Sequence, residues 1–274
     1  MDTKPCCAHS SPKVDLLHVK LDILCQQDLY DIAIKAISDG DKILLGHHNL
    51  HSLYLCKKSP VMAQFYQKAD FIHIDGMSIV LLGKALGLKL NKQNRLTSLD
   101  WLLPLMDHCQ QLMQDNLRVF LLGGQPGVAE IAGKAFKERV ENVEVRTCHG
   151  FFDINDAKAC DSIREMINQY RPHMLLVGMG MPRQEEWIVS NYDRIDADVV
   201  WSLGAFMDYY AGIIPVPPRW LGKIGLEWAF RLWSEPRRLW RRYLLEPWLI
   251  AWLLAKELLF KRALGGAANR KQDK

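Results

Sequence analysis

The stretch 174–190, MLLVGMGMPRQEEWIVS, limits the fold more than any other part of the chain. An apolar run, Met174 to Val177, meets glycines at 178 and 180, and Pro182 then opens a segment carrying Gln184, Glu185, Glu186 and Trp187. A short buried strand, a tight turn and a proline at the first helical position describe a βα unit. In open α/β sheets ligands collect at this edge, where strands end and helix N-termini point outward. Glycines such as Gly178 let a ligand approach the backbone, and Gln184 offers both a donor and an acceptor. The same glycines suit a buried turn that binds nothing, and this stretch alone supports both readings equally.

The unit recurs along the chain. After a leader at 1–14, expected to be mobile, the pattern predicts a first strand within 15–24, a helix over 27–38 and a strand over 42–46. One helix is expected to run on to about residue 69, then a strand at 71–74 ending on Asp75-Gly76 and a helix over 78–86. Helices at 100–114, 127–140 and 156–171 alternate with strands at 118–122, 143–147, 174–177 and 198–203. Such alternation defines an α/β fold over 15–212, a Rossmann-like, mostly parallel sheet with helices on both faces.

Composition changes near Gly212. Of the 35 Lys and Arg, thirteen lie from Arg219 onward, against five of the 31 Asp and Glu, so the net charge of +4 belongs to the tail. That asymmetry points to an anionic partner: a membrane surface, a diphosphate or a nucleic acid. Glu235-Pro236 and Glu246-Pro247 are expected to divide the appendage, 213–274, into three helical pieces. Residues 243–260 are too interrupted, by Glu246, Pro247, Lys256 and Glu257, to cross a bilayer. A basic collar beside an aromatic helix instead describes a membrane-associating, interfacial appendage. The alternative is a tail packed on the body or on a second copy in a homo-oligomer. Seven cysteines without a CxxC pair fit free thiols in a reducing cytoplasm, and residues 1–13 carry no signal-peptide core.

Several residues could carry chemistry. Asp75 closes a buried strand at the ligand edge, where a carboxylate can be partly desolvated and serve as a general base; capping the next helix is an equally supported role. Gly123 and Gly124, in Phe120-Leu-Leu-Gly-Gly-Gln-Pro-Gly127, could set backbone N–H groups against a diphosphate, although the run lacks full GxGxxG spacing. Asp39-Gly40-Asp41 and Asp196-Ala197-Asp198 match a DxD pattern but precede strands, the wrong end of the sheet, and read as turns. Histidines 47, 48 and 51 lack a completing ligand set, so no metal is expected.

Taken in order, these segments resemble the WecG/TagA/CpsF family of bacterial glycosyltransferases. The resemblance runs from about residue 15 to 245, through the Asn49 region, Asp75-Gly76, the glycine run at 120–127 and His149-Gly-Phe-Phe152. It continues through Val177-Gly-Met-Gly-Met-Pro-Arg-Gln-Glu-Glu-Trp-Ile188, Gly204-Ala-Phe-Met-Asp-Tyr-Tyr-Ala-Gly212, Gly225-Leu-Glu-Trp-Ala-Phe-Arg231 and Glu235-Pro-Arg-Arg238. It implies an inverting, metal-independent transfer of a hexose, N-acetylmannosamine or glucose, from a UDP-sugar to a polyprenyl-diphosphate-linked sugar. No cofactor is implied. The implied partners are those two substrates and the inner face of the cytoplasmic membrane, with no nucleic acid.

By the same resemblance Asp75 matches the general base, and Asn49 and Gln184 match pocket residues; Gly76, Arg95, Gly123, Gly124, Gly178 and Glu185 are expected beside them as donor-binding residues. Arg231, Arg237 and Arg238 match arginines that hold the acceptor's diphosphate. Two departures, Arg95-Leu-Thr-Ser98 without the usual glycine and Pro215-Val-Pro217 in place of Arg-Ala-Pro, leave the sugar open. A nucleotide-dependent oxidoreductase would need an acidic residue closing the next strand, for which Glu144 is nearest. A non-catalytic membrane adaptor would use the tail alone and gives no reason for Asp75 and Gln184 to share a sheet edge.

Overall fold

Residues 12–113 and 115–256 are described by the computed structural model of the chain. A hairpin of β1 (Lys13–Leu16) and β2 (Val19–Asp22) precedes α1 (Gln26–Asp39) and β3 (Ile43–His48). Then come α2 (Leu50–Cys56), α3 (Pro60–Lys68), β4 (Phe71–Ile74), α4 (Met77–Ala85), α5 (Ser98–Leu112) and β5 (Leu117–Gly123). The series continues with α6 (Val128–Lys137), β6 (Val143–Cys148), α7 (Ala157–Tyr170), β7 (Met174–Gly178), α8 (Arg183–Asn191), β8 (Val199–Ser202) and α9 (Phe206–Tyr210).

Among the described residues the main sheet has six strands in the order β4-β3-β8-β7-β5-β6, every pairing parallel. Period-two alternation sends side chains to both faces. In β7, Met174 and Leu176 join one core cluster with α1, α5 and α6, while Leu175 and Val177 join the other with α3, α7 and α8. Trp201 of β8 stacks on Trp101 of α5 with ring centroids 4.2 Å apart. Each fully buried Leu- or Phe-sized side chain contributes about 1.5–3 kcal/mol. The α/β expectation therefore holds, and both faces of the sheet are covered.

Four local expectations change. The single strand within 15–24 is an antiparallel hairpin beginning at Lys13, inside the expected leader, whose first eleven residues lie outside the described ones. Its turn uses Leu17 and His18 at φ +52° and +71°, residues with no turn signature; the His18 N–H donates to Asp15 at 2.8 Å. The helix expected to reach residue 69 breaks at Ser59, because Pro60 starts a new helix at its first turn. Pro182 sits one residue before α8 as its N-cap.

The appendage differs most. It forms α10 (Arg219–Ile224), α11 (Glu227–Ser234) and α12 (Pro236–Trp240), then a π-helical turn over Arg241–Leu245 that runs into a helix at 246–256. Glu235-Pro236 divides two helices as expected, but Glu246-Pro247 does not. The wider π-register, with the Glu246 N–H reaching the Arg241 carbonyl, takes up the proline that would otherwise clash with the preceding turn. Among the described residues no helix is long and apolar enough to cross a membrane.

Candidate active site

At the C-terminal edge of the sheet three strand ends touch backbone to backbone. A Cβ on Gly123 would run into the carbonyl of Gly178, and one on Gly178 would meet the Gly204 carbonyl at 2.6 Å. These two glycines are therefore required by the approach of β5, β7 and β8 to one another, whatever binds above them. The Gly124 N–H donates to the Gly178 carbonyl at 3.1 Å, and the Gly150 N–H to the Gly124 carbonyl at 2.9 Å.

Gln184 continues this bracing. Its Oε1 accepts the N–H groups of Gly180 (3.2 Å) and Gly204 (3.1 Å), tying the turn after β7 to the turn after β8. Its Nε2 donates to Glu185 Oε1 at 2.7 Å. Both side chains are fully buried. The amide whose donor and acceptor were expected to meet a ligand is engaged with the protein itself, and so holds the pocket floor.

Glu185 Oε2 is buried without a hydrogen-bond partner among the described residues. Burial pushes this carboxyl up from 4.5 to about 7, against the lowering effect of the Gln184 bond. The folded chain thus holds the proton more tightly than the unfolded chain, so stability falls as pH rises from about 4.5 to about 7, by about 3 kcal/mol in all. Glu185→Gln should flatten this slope. Urea unfolding at pH 5 and pH 8 reads it directly, and an unchanged difference between the two pH values in the variant would refute the assignment.

Above the strand ends lies a cavity of about 750 Å³. Gly124, Gly150 and Gly178 form its floor, Phe151 and Arg183 one wall, and Asp208, Glu235 and Arg238 the side toward the appendage. Arg183 fastens the loop after β6 by donating to the carbonyls of Gly150 (2.9 Å) and Phe152. Arg238 is paired to Glu235 at 2.5 Å. Burial raises the Asp208 carboxyl, with the charge of Arg238 opposing.

Asp75 lies toward the opposite edge of the sheet. Its strand is three places from β7, roughly 14 Å at the usual strand spacing. Its N–H donates to the His48 carbonyl at 2.8 Å, but Gly76 takes the cap position of α4 and no side chain caps that helix. The capping role left open by the sequence is thus not the one Asp75 performs. The carboxylate is partly buried, and among the described residues it makes no hydrogen bond or ion pair. Beneath it His47, His48 and His73 are buried; burial pulls His48 and His73 down to about 3, which keeps this layer neutral. Asn49 caps α2, accepting the Ser52 N–H at 3.0 Å.

Two guanidinium groups of the appendage lie within electrostatic reach of Asp75. Its charge acts on both Arg231 and Arg242, and on Tyr209, whose ring lies 5.6 Å from Arg231. Both arginines are partly buried, Arg231 Nε has no partner, and neither guanidinium reaches a carboxylate among the described residues. Burial lowers Arg242 from its ordinary value, and the positive charge of Arg231 adds to that. Two like charges without an ion-pair partner, set near one another, favour an anion that bonds to both. Asp208 on the cavity wall and Tyr209 beside Arg231 are consecutive in α9, so this helix borders both the cavity and the Asp75 region of the candidate site.

The residues expected from sequence are therefore dispersed within it. Gly124, Gly178 and Arg238 line the cavity; Gly123, Gln184 and Glu185 lie beneath it; Asp75, Gly76 and Asn49 stand at the β3–β4 end. Arg95 lies alongside β4, held by Glu227 at 2.6 Å and Asp100 at 3.1 Å. Arg237 is exposed. Arg242, Tyr209 and Asp208 were missed, although Asp208-Tyr209 stands inside the Gly204–Gly212 segment already singled out. Glu144 opens β6 and accepts from Asn116, at the wrong end for a ribose, which removes the oxidoreductase reading's nearest acidic residue. No group of three or more His, Cys, Asp or Glu among the described residues is arranged to hold a metal ion.

Sequence comparison bears on the same site. The model of the glycosyl transferase WecG/TagA/CpsF family matches residues 14–264, nearly the whole chain. The chain belongs to this family. It is a glycosyltransferase. Similar proteins include the N-acetylglucosaminyldiphosphoundecaprenol N-acetyl-beta-D-mannosaminyltransferases of Staphylococcus aureus strains MW2, NCTC 8325 and COL. Each is 25% identical over 243 residues, covering 85% of this chain and 89% of the relative. The family match spans both the sheet and the appendage, so the arginines within electrostatic reach of Asp75 belong to the matched unit.

Proposed function

We propose that this glycosyltransferase moves a hexose from a UDP-sugar to a sugar carried on a polyprenyl diphosphate, with inversion and without a metal. The observation that carries the proposal is the unpaired Asp75 carboxylate at the ligand edge of the sheet, within electrostatic reach of Arg231 and Arg242. An acceptor hydroxyl attacks the anomeric carbon as the bond to UDP breaks. Its proton passes to Asp75, and UDP departs with the bonding electron pair. The cavity over Gly124 and Gly178 takes the nucleoside, and the sugar extends toward Asp75. Direct displacement by the hydroxyl inverts the anomeric centre.

Arg231 and Arg242 hold the acceptor's diphosphate, with Arg238 nearer the cavity mouth. Guanidinium groups suit this task because they are permanently charged and bind phosphate oxygens in pairs. The S. aureus relatives transfer N-acetylmannosamine to N-acetylglucosaminyl diphosphoundecaprenol, which makes N-acetylmannosamine the first donor sugar to test and glucose the second.

A lipid-linked acceptor supports a reading in which the enzyme works at the inner face of the cytoplasmic membrane. Trp233 and Trp248 of the appendage are 85% and 75% exposed, and Trp220, Trp240 and Trp252 are exposed beside Arg237 and Arg241. Large exposed aromatics with a basic collar fit an interfacial surface.

The test is a donor screen in EDTA with a short-chain polyprenyl-diphosphate-GlcNAc acceptor and a panel of UDP- and GDP-sugars. One UDP-sugar should be consumed, with inverted product. Transfer that needs added metal would overturn metal independence, and a folded protein that neither transfers nor binds UDP would overturn the whole reading. In the same preparation, truncation after Leu245 should weaken flotation with anionic vesicles while leaving UDP affinity nearly unchanged; equal flotation would remove the interfacial appendage.

A further inference from the structure

Arg231 and Arg242 each have a carboxylate four residues away on their own helical segment: Glu227 before the first and Glu246 after the second. Residues four apart on a helix are neighbours, and Glu placed before Arg is the more favourable order. Ordinary helices would therefore quench both guanidinium groups locally. Neither pair forms here. Glu227 Oε2 instead bonds Arg95 Nη1 at 2.6 Å, and Glu246 Oε2 accepts from His51 Nδ1 at 2.7 Å.

Both of these bonds join the appendage to the body beside the site. Arg95 is paired with Ile74, the residue before Asp75, and His51 follows Asn49 in the first turn of α2. All four partners are substantially buried, with Glu246 only 11% and Arg95 13% exposed. Gly222 makes room for the Arg95–Glu227 pair, since a Cβ there would meet Glu227 Oε1 and stand 3.0 Å from Arg95 Nη2.

We propose that Arg95 and His51 are positioning residues that hold the Glu227 and Glu246 carboxylates out of ion pairs with Arg231 and Arg242, so that neither guanidinium is bonded to a carboxylate before a diphosphate arrives. The two bonds seat the appendage and, by the same geometry, keep its anion site charged. Both pairs act together: each removes from one arginine the carboxylate that its own helix would supply. The proposal rests on the reading of Arg231 and Arg242 as a diphosphate site.

The test reads affinity for inorganic pyrophosphate by calorimetry alongside the KM for the lipid-linked acceptor. His51→Ala frees Glu246 and should weaken pyrophosphate binding about fivefold, the size of a modest ion pair. Adding Glu246→Gln to His51→Ala should restore affinity to within about twofold of the parent, because the released carboxylate that would pair with Arg242 is gone. Glu246→Gln alone should bind at least as tightly as the parent, and it tests the idea if the His51 variant fails to fold. A contact that merely docks the appendage predicts the opposite, with the double variant as weak as either single one. That outcome overturns the proposal, as does unchanged binding in His51→Ala. Restored pyrophosphate affinity without transfer from any donor would uphold the diversion of the carboxylates while sinking the transferase mechanism.

Discussion

Asp75→Asn lowers transfer by about three orders of magnitude, the range expected when a general base is lost, and leaves UDP binding and the fold in place. The expectation follows from the surroundings of the carboxylate. It forms no hydrogen bond or ion pair among the described residues, so the isosteric amide breaks no protein contact. Its N–H keeps the bond to the His48 carbonyl. What is lost is the capacity to take a proton. The neutral histidine layer below offers no substitute, because burial holds His48 and His73 down at about 3 and their protonated forms are not reached at working pH. The measurement pairs initial rates with UDP calorimetry and a thermal melt. Turnover within tenfold of the parent would remove Asp75 as the base.

Arg242→Gln lowers kcat/KM for the lipid-linked acceptor by about a hundredfold, with a far smaller change in UDP affinity. Removing one of two partly desolvated guanidinium groups leaves a diphosphate half neutralised in a site with few competing waters. Relief of Arg242's repulsion with Arg231 should at the same time make the free protein no less stable, which separates a binding role from a structural one. Arg242→Lys should recover only part of the loss, since an ammonium lacks the paired donors of the fork. Arg237→Gln, at an exposed position, serves as the comparison and should change kcat/KM little. Equal losses at 237 and 242 would mean that the appendage acts through its overall charge, and the discrete site would be abandoned.

Much of the site was legible in the chain, for a physical reason that also marks its limits. Asp75 could be found because a short, mainly apolar strand segment, Phe71-Ile-His-Ile74, ends on it and a glycine follows, a pattern complete within six residues. Its freedom from partners could not, because that depends on which side chains of the appendage come near it. Gln184 was recognisable as a polar residue in a glycine-rich turn, yet its work is to join that turn to Gly204, twenty residues further on in sequence. Arg242 was one arginine among many in a basic tail. Its distinction arises only once Glu246 is taken up by His51 across 195 residues of chain.

The hairpin at 13–22 and the unbroken passage through Pro247 fall on the same boundary. Leu17 and His18 adopt positive φ without a residue type that announces it, and the π-turn at 241–245 appears in no periodicity. The sequence by itself determined the alternation of strands and helices, the parallel sheet, the ligand edge and the basic appendage. All of these follow from hydrophobic period, turn chemistry and charge along contiguous residues. Tertiary structure alone decided which carboxylate stays free, which arginines lose their helical partners and where the cavity lies relative to Asp75. Those are pairings between segments far apart in the chain, chosen by competition among several possible partners in a partly desolvated space, and a linear pattern carries no record of that competition.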